Sequence, residues 1–277
     1  MKKILLGLLI MFFTQGISFA YDVSAQALVV GENMLSKNGL PSATIVVTSD
    51  SAAVNSNINE TNVLYVQTSN LNYAGNDNEV AAVISQELGA IINASASKKE
   101  IVSSLTSAIV GQITDEKTKE TASTLNELSL SHMSKKDLMD ADITGVDLMI
   151  KAGYNPLAMI VTLGKMDASL WELLKGEPAN FKRTMNIYDY LSYNYPSKVK
   201  AGYNCQEYKA FLDYIAPTIK KRENNAKALK KFQTTQAKAK EKRAKQIAKY
   251  KLSGGVNGWD VSKIILNNLS TQSEIEQ

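Results

Sequence analysis

One cysteine and one histidine in 277 residues leave this chain poor in the side chains that build disulfides and transition-metal centres. With Cys205 alone no intramolecular disulfide can form, so core packing must hold the fold even in an oxidising compartment. Cys205 reads as a small, semi-buried residue, because a reactive thiol needs a base beside it and none is visible. His132 reads as a surface or loop histidine. Long apolar runs are also scarce, and beyond the N-terminus no stretch is apolar enough to cross a membrane. No serine, cysteine or lysine stands out with a paired base, and no internal repeat occurs.

What is present begins with an export segment. Lys2 and Lys3 precede an apolar stretch from Ile4 to Phe13, and Ser18-Phe19-Ala20 offers the small-x-small pattern of a signal-peptidase site. The apolar run is short of the roughly 20 residues that span a bilayer, so cleavage after Ala20 is expected rather than an uncleaved anchor. Residues 1–20 are thus assigned to a signal peptide, and the remainder to the periplasm or the cell exterior. Residues 21–277 suit one sizeable domain with an appendage. The formal charge of +4 hides a division. Between Lys220 and Lys251 thirteen Lys or Arg face two acids, Glu223 and Glu241, a local net of +11 that leaves −9 on the rest of the exported chain. An acidic body carries a basic arm.

Apolar spacing predicts a helix over 25–36, ended by the turn Asn38-Gly39-Leu40-Pro41. Two β-rich runs follow, Thr44 to Thr48 and Val63 to Gln67, and a small sheet of this kind needs a helix over one face. Helices are predicted over 79–93, 101–113, 117–130, 136–152, 157–166, 188–195 and 206–215. Pro217 marks a boundary between a body (21–217) and a Lys- and Ala-rich basic helix (218–252). Ser253-Gly254-Gly255 then forms a hinge before a short terminal helix within 253–277. The fold class is α+β, mostly helical, with a C-terminal basic helical arm.

Two carboxylates sit where apolar residues belong. On the helix from Glu79, the stripe Val80, Val83, Ile84, Leu88, Ile91 and Ile92 has Glu87 in its middle at 100° per residue. On the helix from Lys136, Asp142 lies inside the stripe Leu138, Ala141, Gly145 and Met149. Carboxylates are seldom fully buried unless paired. A structural role, capping or bonding a neighbouring group, competes here with a functional one.

The segment Asn78 to Ile92, with Ser85-Gln86-Glu87-Leu88-Gly89, resembles the active-site helix of HtpX-type and CAAX-prenyl-protease-type zinc metallopeptidases. That family carries H-E-x-x-H there. Its second element, E-x-x-A-D followed by a glycine and an A-G-Y-x-P turn, is similar to Leu138-Met139-Asp140-Ala141-Asp142, Gly145 and Ala152-Gly153-Tyr154-Asn155-Pro156. The approach also matches, in Asn38-Gly39-Leu40-Pro41, Ile45-Val46-Val47 and Val63-Leu64-Tyr65-Val66. Three blocks in order, over about residues 25–215, carry the resemblance, which implies a zincin-like metallopeptidase fold.

The departures fall on the metal. The resemblance places zinc ligands at Gln86, Ala90 and Leu138, where this chain has an amide and two hydrocarbons. His132 lies outside both motifs and cannot rebuild the site alone. Glu87 stands at the general-base position, Asp142 at the position that orients a histidine ligand, and Tyr195, before Pro196, at the position of a histidine thought to stabilise the transition state. Asp137 and Asp140 share a helix edge and read as a solvated acidic face rather than a calcium site. The expectation is a pseudopeptidase without the family zinc or any other cofactor. It keeps a peptide groove beside Val63, Leu64, Tyr65 and Val66, and its partner is an extended polypeptide or an envelope protein. Two rivals stand beside it: an active metalloendopeptidase with a rebuilt metal site, and a surface-binding protein acting through Lys220 to Lys251. That arm suits an anionic membrane or envelope polymer, and nucleic acid least.

Overall fold

The computed structural model describes residues 21–40, 42–50, 63–109, 135–166 and 180–252. The export segment, the helix expected over 117–130, His132 and residues 253–277 lie outside them. Helix α1 (Val23–Asn38) starts at Asp22, whose side chain accepts hydrogen bonds from the backbone of Ser24 and Ala25. It ends at Gly39, where φ of 65° suits a residue without a Cβ. Strands β1 (Thr44–Thr48) and β2 (Val63–Gln67) pair in parallel, with Thr44 opposite Val63 and Thr48 opposite Gln67. The sheet packs on α1 where Gly31 meets Ile45: a Cβ on Gly31 would lie 2.9 Å from Ile45 Cγ1.

A single turn, α2 (Thr68–Leu71), leads to the long helix α3 (Asp77–Ile109). The sequence suggested two helices here, with a break after residue 93. Residues 94–100 lack an apolar period but contain neither glycine nor proline, so nothing stops the helix. Helices α4 (Lys135–Ala152), α5 (Ala158–Met166), α6 (Phe181–Asn194) and α7 (Pro196–Ala201) follow. Helix α8 (Gln206–Glu223) runs through Pro217, and the break before α9 (Ala226–Leu252) falls at Asn224-Asn225. The basic helix therefore starts later than the Pro217 boundary placed it.

The core forms where α3 and α4 cross. A Cβ on Gly89 would collide with the carbonyl oxygen of Ala141, and one on Gly145 would stand 2.6 Å from that of Ser85. The two backbones can approach this closely only because both positions lack side chains. Ile84, Leu88 and Ile92 of α3, Leu148 and Met149 of α4, Met159 and Leu163 of α5 and Leu64 of β2 are fully buried around this crossing. Asn38 joins α1 to α4, donating from its side chain to the carbonyls of Met34 (2.8 Å) and Leu148 (3.0 Å).

Candidate functional site

The helix crossing determines where the two anomalous carboxylates stand. Glu87, one residue before Leu88 in the core stripe of α3, is only 8% exposed, and its Oε2 has no hydrogen-bond partner. Burial pushes its carboxyl up to about 7, because the charged form loses its hydration. Beside it, Gln86 is half-buried, and its Nε2 is a donor without an acceptor. Ala90 is buried, whereas Leu138 is half-buried near the start of α4.

Asp142 lies on α4 and is 1% exposed. The fork of Arg183, from α6, grips it: Nε donates to Oδ2 at 2.8 Å and Nη2 to Oδ1 at 2.6 Å. Arg183 Nη1 reaches Asn180 Oδ1 at 3.3 Å, which fixes the guanidinium plane. Burial pushes the Asp142 carboxyl up, against the pull of this cation. A bidentate fork is the geometry in which arginine best offsets a buried carboxylate.

Five residues further along α4, Asp147 is also buried. It accepts from Tyr190 (2.6 Å), from Tyr195 (3.3 Å) and from Arg243 Nη2 (2.8 Å). Tyr195, which caps the end of α6, is thus brought to α4 through Asp147. Burial, with the Asp147 charge, holds the Tyr190 phenol well above its usual range. Arg243 belongs to α9, so the basic helix reaches back into the body.

The Ala152-Gly153-Tyr154-Asn155-Pro156 turn is held against the start of α3. Gly153 has φ of 89°, and the Asn155 N–H donates to Asn78 Oδ1 at 2.8 Å. Next to that contact Glu79 is buried, paired to Lys165 at 2.8 Å and accepting from the Gly75 N–H at 2.7 Å. The structure therefore brings the Asn78–Ile92 block and the Leu138–Pro156 block together along one helix pair. Asp140 is exposed and paired with Lys136 at 3.1 Å, in keeping with a solvated edge, while the Asp137 side chain lies outside the described residues. Cys205 caps α8, its sulfur accepting from the Tyr208 N–H at 3.4 Å, and burial pushes its thiol up.

Strand β2 borders the same core. Leu64 and Val66 are buried, while Val63, Tyr65 and Gln67 are half-buried on the other face. Among the described residues the sheet has two strands, so the edge of β2 away from β1 carries no paired strand.

Arg183, Asp147, Tyr190 and Arg243 were not foreseen. The one signal for them was that inward-facing carboxylates need partners, which says nothing of where those partners stand in sequence.

No curated protein and no solved structure matches the chain. The family model of peptidase family M48 matches residues 25–191, more than half of the chain and the stretch from the first turn of α1 through the Asp142–Arg183 pair. On that match the chain belongs to peptidase family M48.

Proposed function

We propose that this protein is an exported member of family M48 that binds polypeptide without hydrolysing it. Zinc, which the family resemblance implies, supplies an activated water and a polarised carbonyl when three protein ligands hold it. The residues here do not fit that ion. At the positions the resemblance assigns to ligands, Gln86 offers a neutral amide, while Ala90 and Leu138 offer hydrocarbon. The observation that carries the reading is the Asp142–Arg183 pair. A carboxylate that would orient a histidine ligand is instead engaged on both oxygens by a fixed cation. A guanidinium in that place also disfavours a second cation nearby.

The groove reading rests on β2. Strand addition along the edge of β2 that carries no paired strand among the described residues uses backbone N–H and C=O groups and needs no metal, with pockets for alternate side chains setting preference. The protein would then act in the cell envelope as a binding or scaffolding module.

Two measurements test this. The purified chain is incubated with zinc, dialysed and assayed for metal by elemental analysis. Well under one zinc per chain is expected. Stoichiometric, chelator-removable zinc, with peptidase activity abolished by Glu87→Gln, would establish the active alternative. In parallel, a labelled, permanently unfolded polypeptide is titrated by fluorescence anisotropy. Binding should weaken in Val63→Glu and Gln67→Glu, and no binding at all would remove the groove from consideration.

A further inference from the structure

Helix α9 has two faces, and the body uses one. Leu229, Phe232, Gln236 and Arg243 are half-buried. Their spacings of three, four and seven put them on one stripe of the helix. Phe232 meets Tyr193 edge-on at 6.3 Å, and Arg222 lies 3.9 Å over the Phe232 ring while donating to Asp189 at 2.6 Å. Arg243 closes the far end on Asp147. The helix is therefore fastened to α6 and α4 at separated points along its length.

The opposite arc is cationic. Lys227, Lys230, Lys231, Lys238, Lys242 and Lys245 are all exposed, and at 100° per residue they fall on the side away from the Phe232–Arg243 stripe. Over a rise of 1.5 Å per residue they extend along roughly 27 Å. The acid among them, Glu241, is paired with Lys245 at 2.5 Å.

We propose that this lysine face docks the protein on anionic lipid headgroups. A straight row of flexible ammonium groups on one side of a fixed helix suits a flat, laterally adaptable array of phosphates. The described side chains of that face include no arginine fork to read bases and no aromatic ring to stack on them, so a nucleic acid fits it less well. Among the described side chains of α9, the large apolar ones, Leu229 and Phe232, lie on the stripe turned to the body, so the lysine face itself offers no large apolar group to insert between acyl chains. Binding is therefore electrostatic and reversed by salt. The acidic remainder of the chain is repelled by the same surface, so the molecule approaches with α9 first.

The test uses the purified full chain in vesicle co-sedimentation, with vesicles of phosphatidylcholine alone or mixed with phosphatidylglycerol. Binding is expected only to the mixed vesicles at low salt and should disappear near 0.5 M salt. An apolar N-terminal segment would bind both vesicle types alike, so the difference between them is the readout. At about fivefold per lysine near the surface, Lys231→Gln, Lys238→Gln and Lys242→Gln together should weaken partitioning on the order of 100-fold. Lys37→Gln, Lys200→Gln and Lys209→Gln, which remove the same charge from exposed positions elsewhere, should weaken it far less. Circular dichroism checks that both triple variants stay folded. Equal loss in the two triple variants, or equal binding to neutral vesicles, would overturn the proposal. So would a chain that ignores both vesicles but binds an oligonucleotide.

Discussion

Replacing Glu87 with glutamine should make the protein more stable at pH 8 and leave it nearly unchanged at pH 4.5. In the folded chain burial raises this carboxyl from 4.5 to about 7. At 1.36 kcal/mol per pH unit, ionising it costs about 3 kcal/mol more in the folded chain than in the unfolded one. The sign follows from which state holds the proton. Below pH 4.5 both states are protonated and the contribution to stability is complete. As pH rises toward 7 the unfolded chain releases its proton first, and stability falls until the folded carboxyl ionises too. Glutamine is nearly isosteric with the protonated acid and carries no such dependence. Urea unfolding at several pH values between 4.5 and 8 should show the variant gaining over wild type by up to about 3 kcal/mol at the alkaline end. A gap between the two proteins that stays constant with pH would refute the assignment of Glu87 as a buried, uncompensated acid.

Arg183→Met should cost about 3 kcal/mol by stranding Asp142, and Asp142→Asn in the same chain should recover part of it. Arg243→Met should act alike on Asp147, though Tyr190 and Tyr195 still donate to that carboxylate; denaturant midpoints read both effects. Gly89→Ala should destabilise by roughly 1–3 kcal/mol, because the added methyl forces α3 away from Ala141, outweighing the roughly 1 kcal/mol gain in helix propensity. Thermal melts of Gly89→Ala and Gly145→Ala should both fall; an unchanged melt would mean the helices do not cross at these residues.

Much of the chain was legible from local pattern. Thr44–Thr48 and Val63–Gln67 were placed to the residue, since short β-branched runs bounded by polar segments have few other uses. The helix from Lys135 was within one residue, because Gly153 stops it. Local reasoning failed where punctuation misled. Pro217 looked like a boundary but is accommodated within α8, and Pro196, at the first position of α7, starts a short helix that carries no apolar period. At the site, sequence located the buried acids by their phase on the helix but not their partners. Arg183 lies 41 residues from Asp142, and Arg243 lies 96 from Asp147. Pairing over such distances is a property of the packed helices and leaves no trace in neighbouring residues.

Glu87 differs from the other buried acids in how its charge is met. Among the described residues Glu79, Glu87, Asp142 and Asp147 are the buried carboxylates. Three are matched to a cation: Glu79 to Lys165, Asp142 to Arg183 and Asp147 to Arg243. In each of these three the buried charge is offset within the fold. Glu87 stands apart, with an oxygen that has no partner and with burial as the sole cause of its raised carboxyl. A leucine there would extend the surrounding stripe of Ile84, Leu88, Ile91 and Ile92 and remove the desolvation cost. The cost of burying Glu87 is therefore not recovered by any hydrogen bond to its Oε2 or by a paired cation among the described residues, which is why Glu87→Gln is the substitution expected to raise stability.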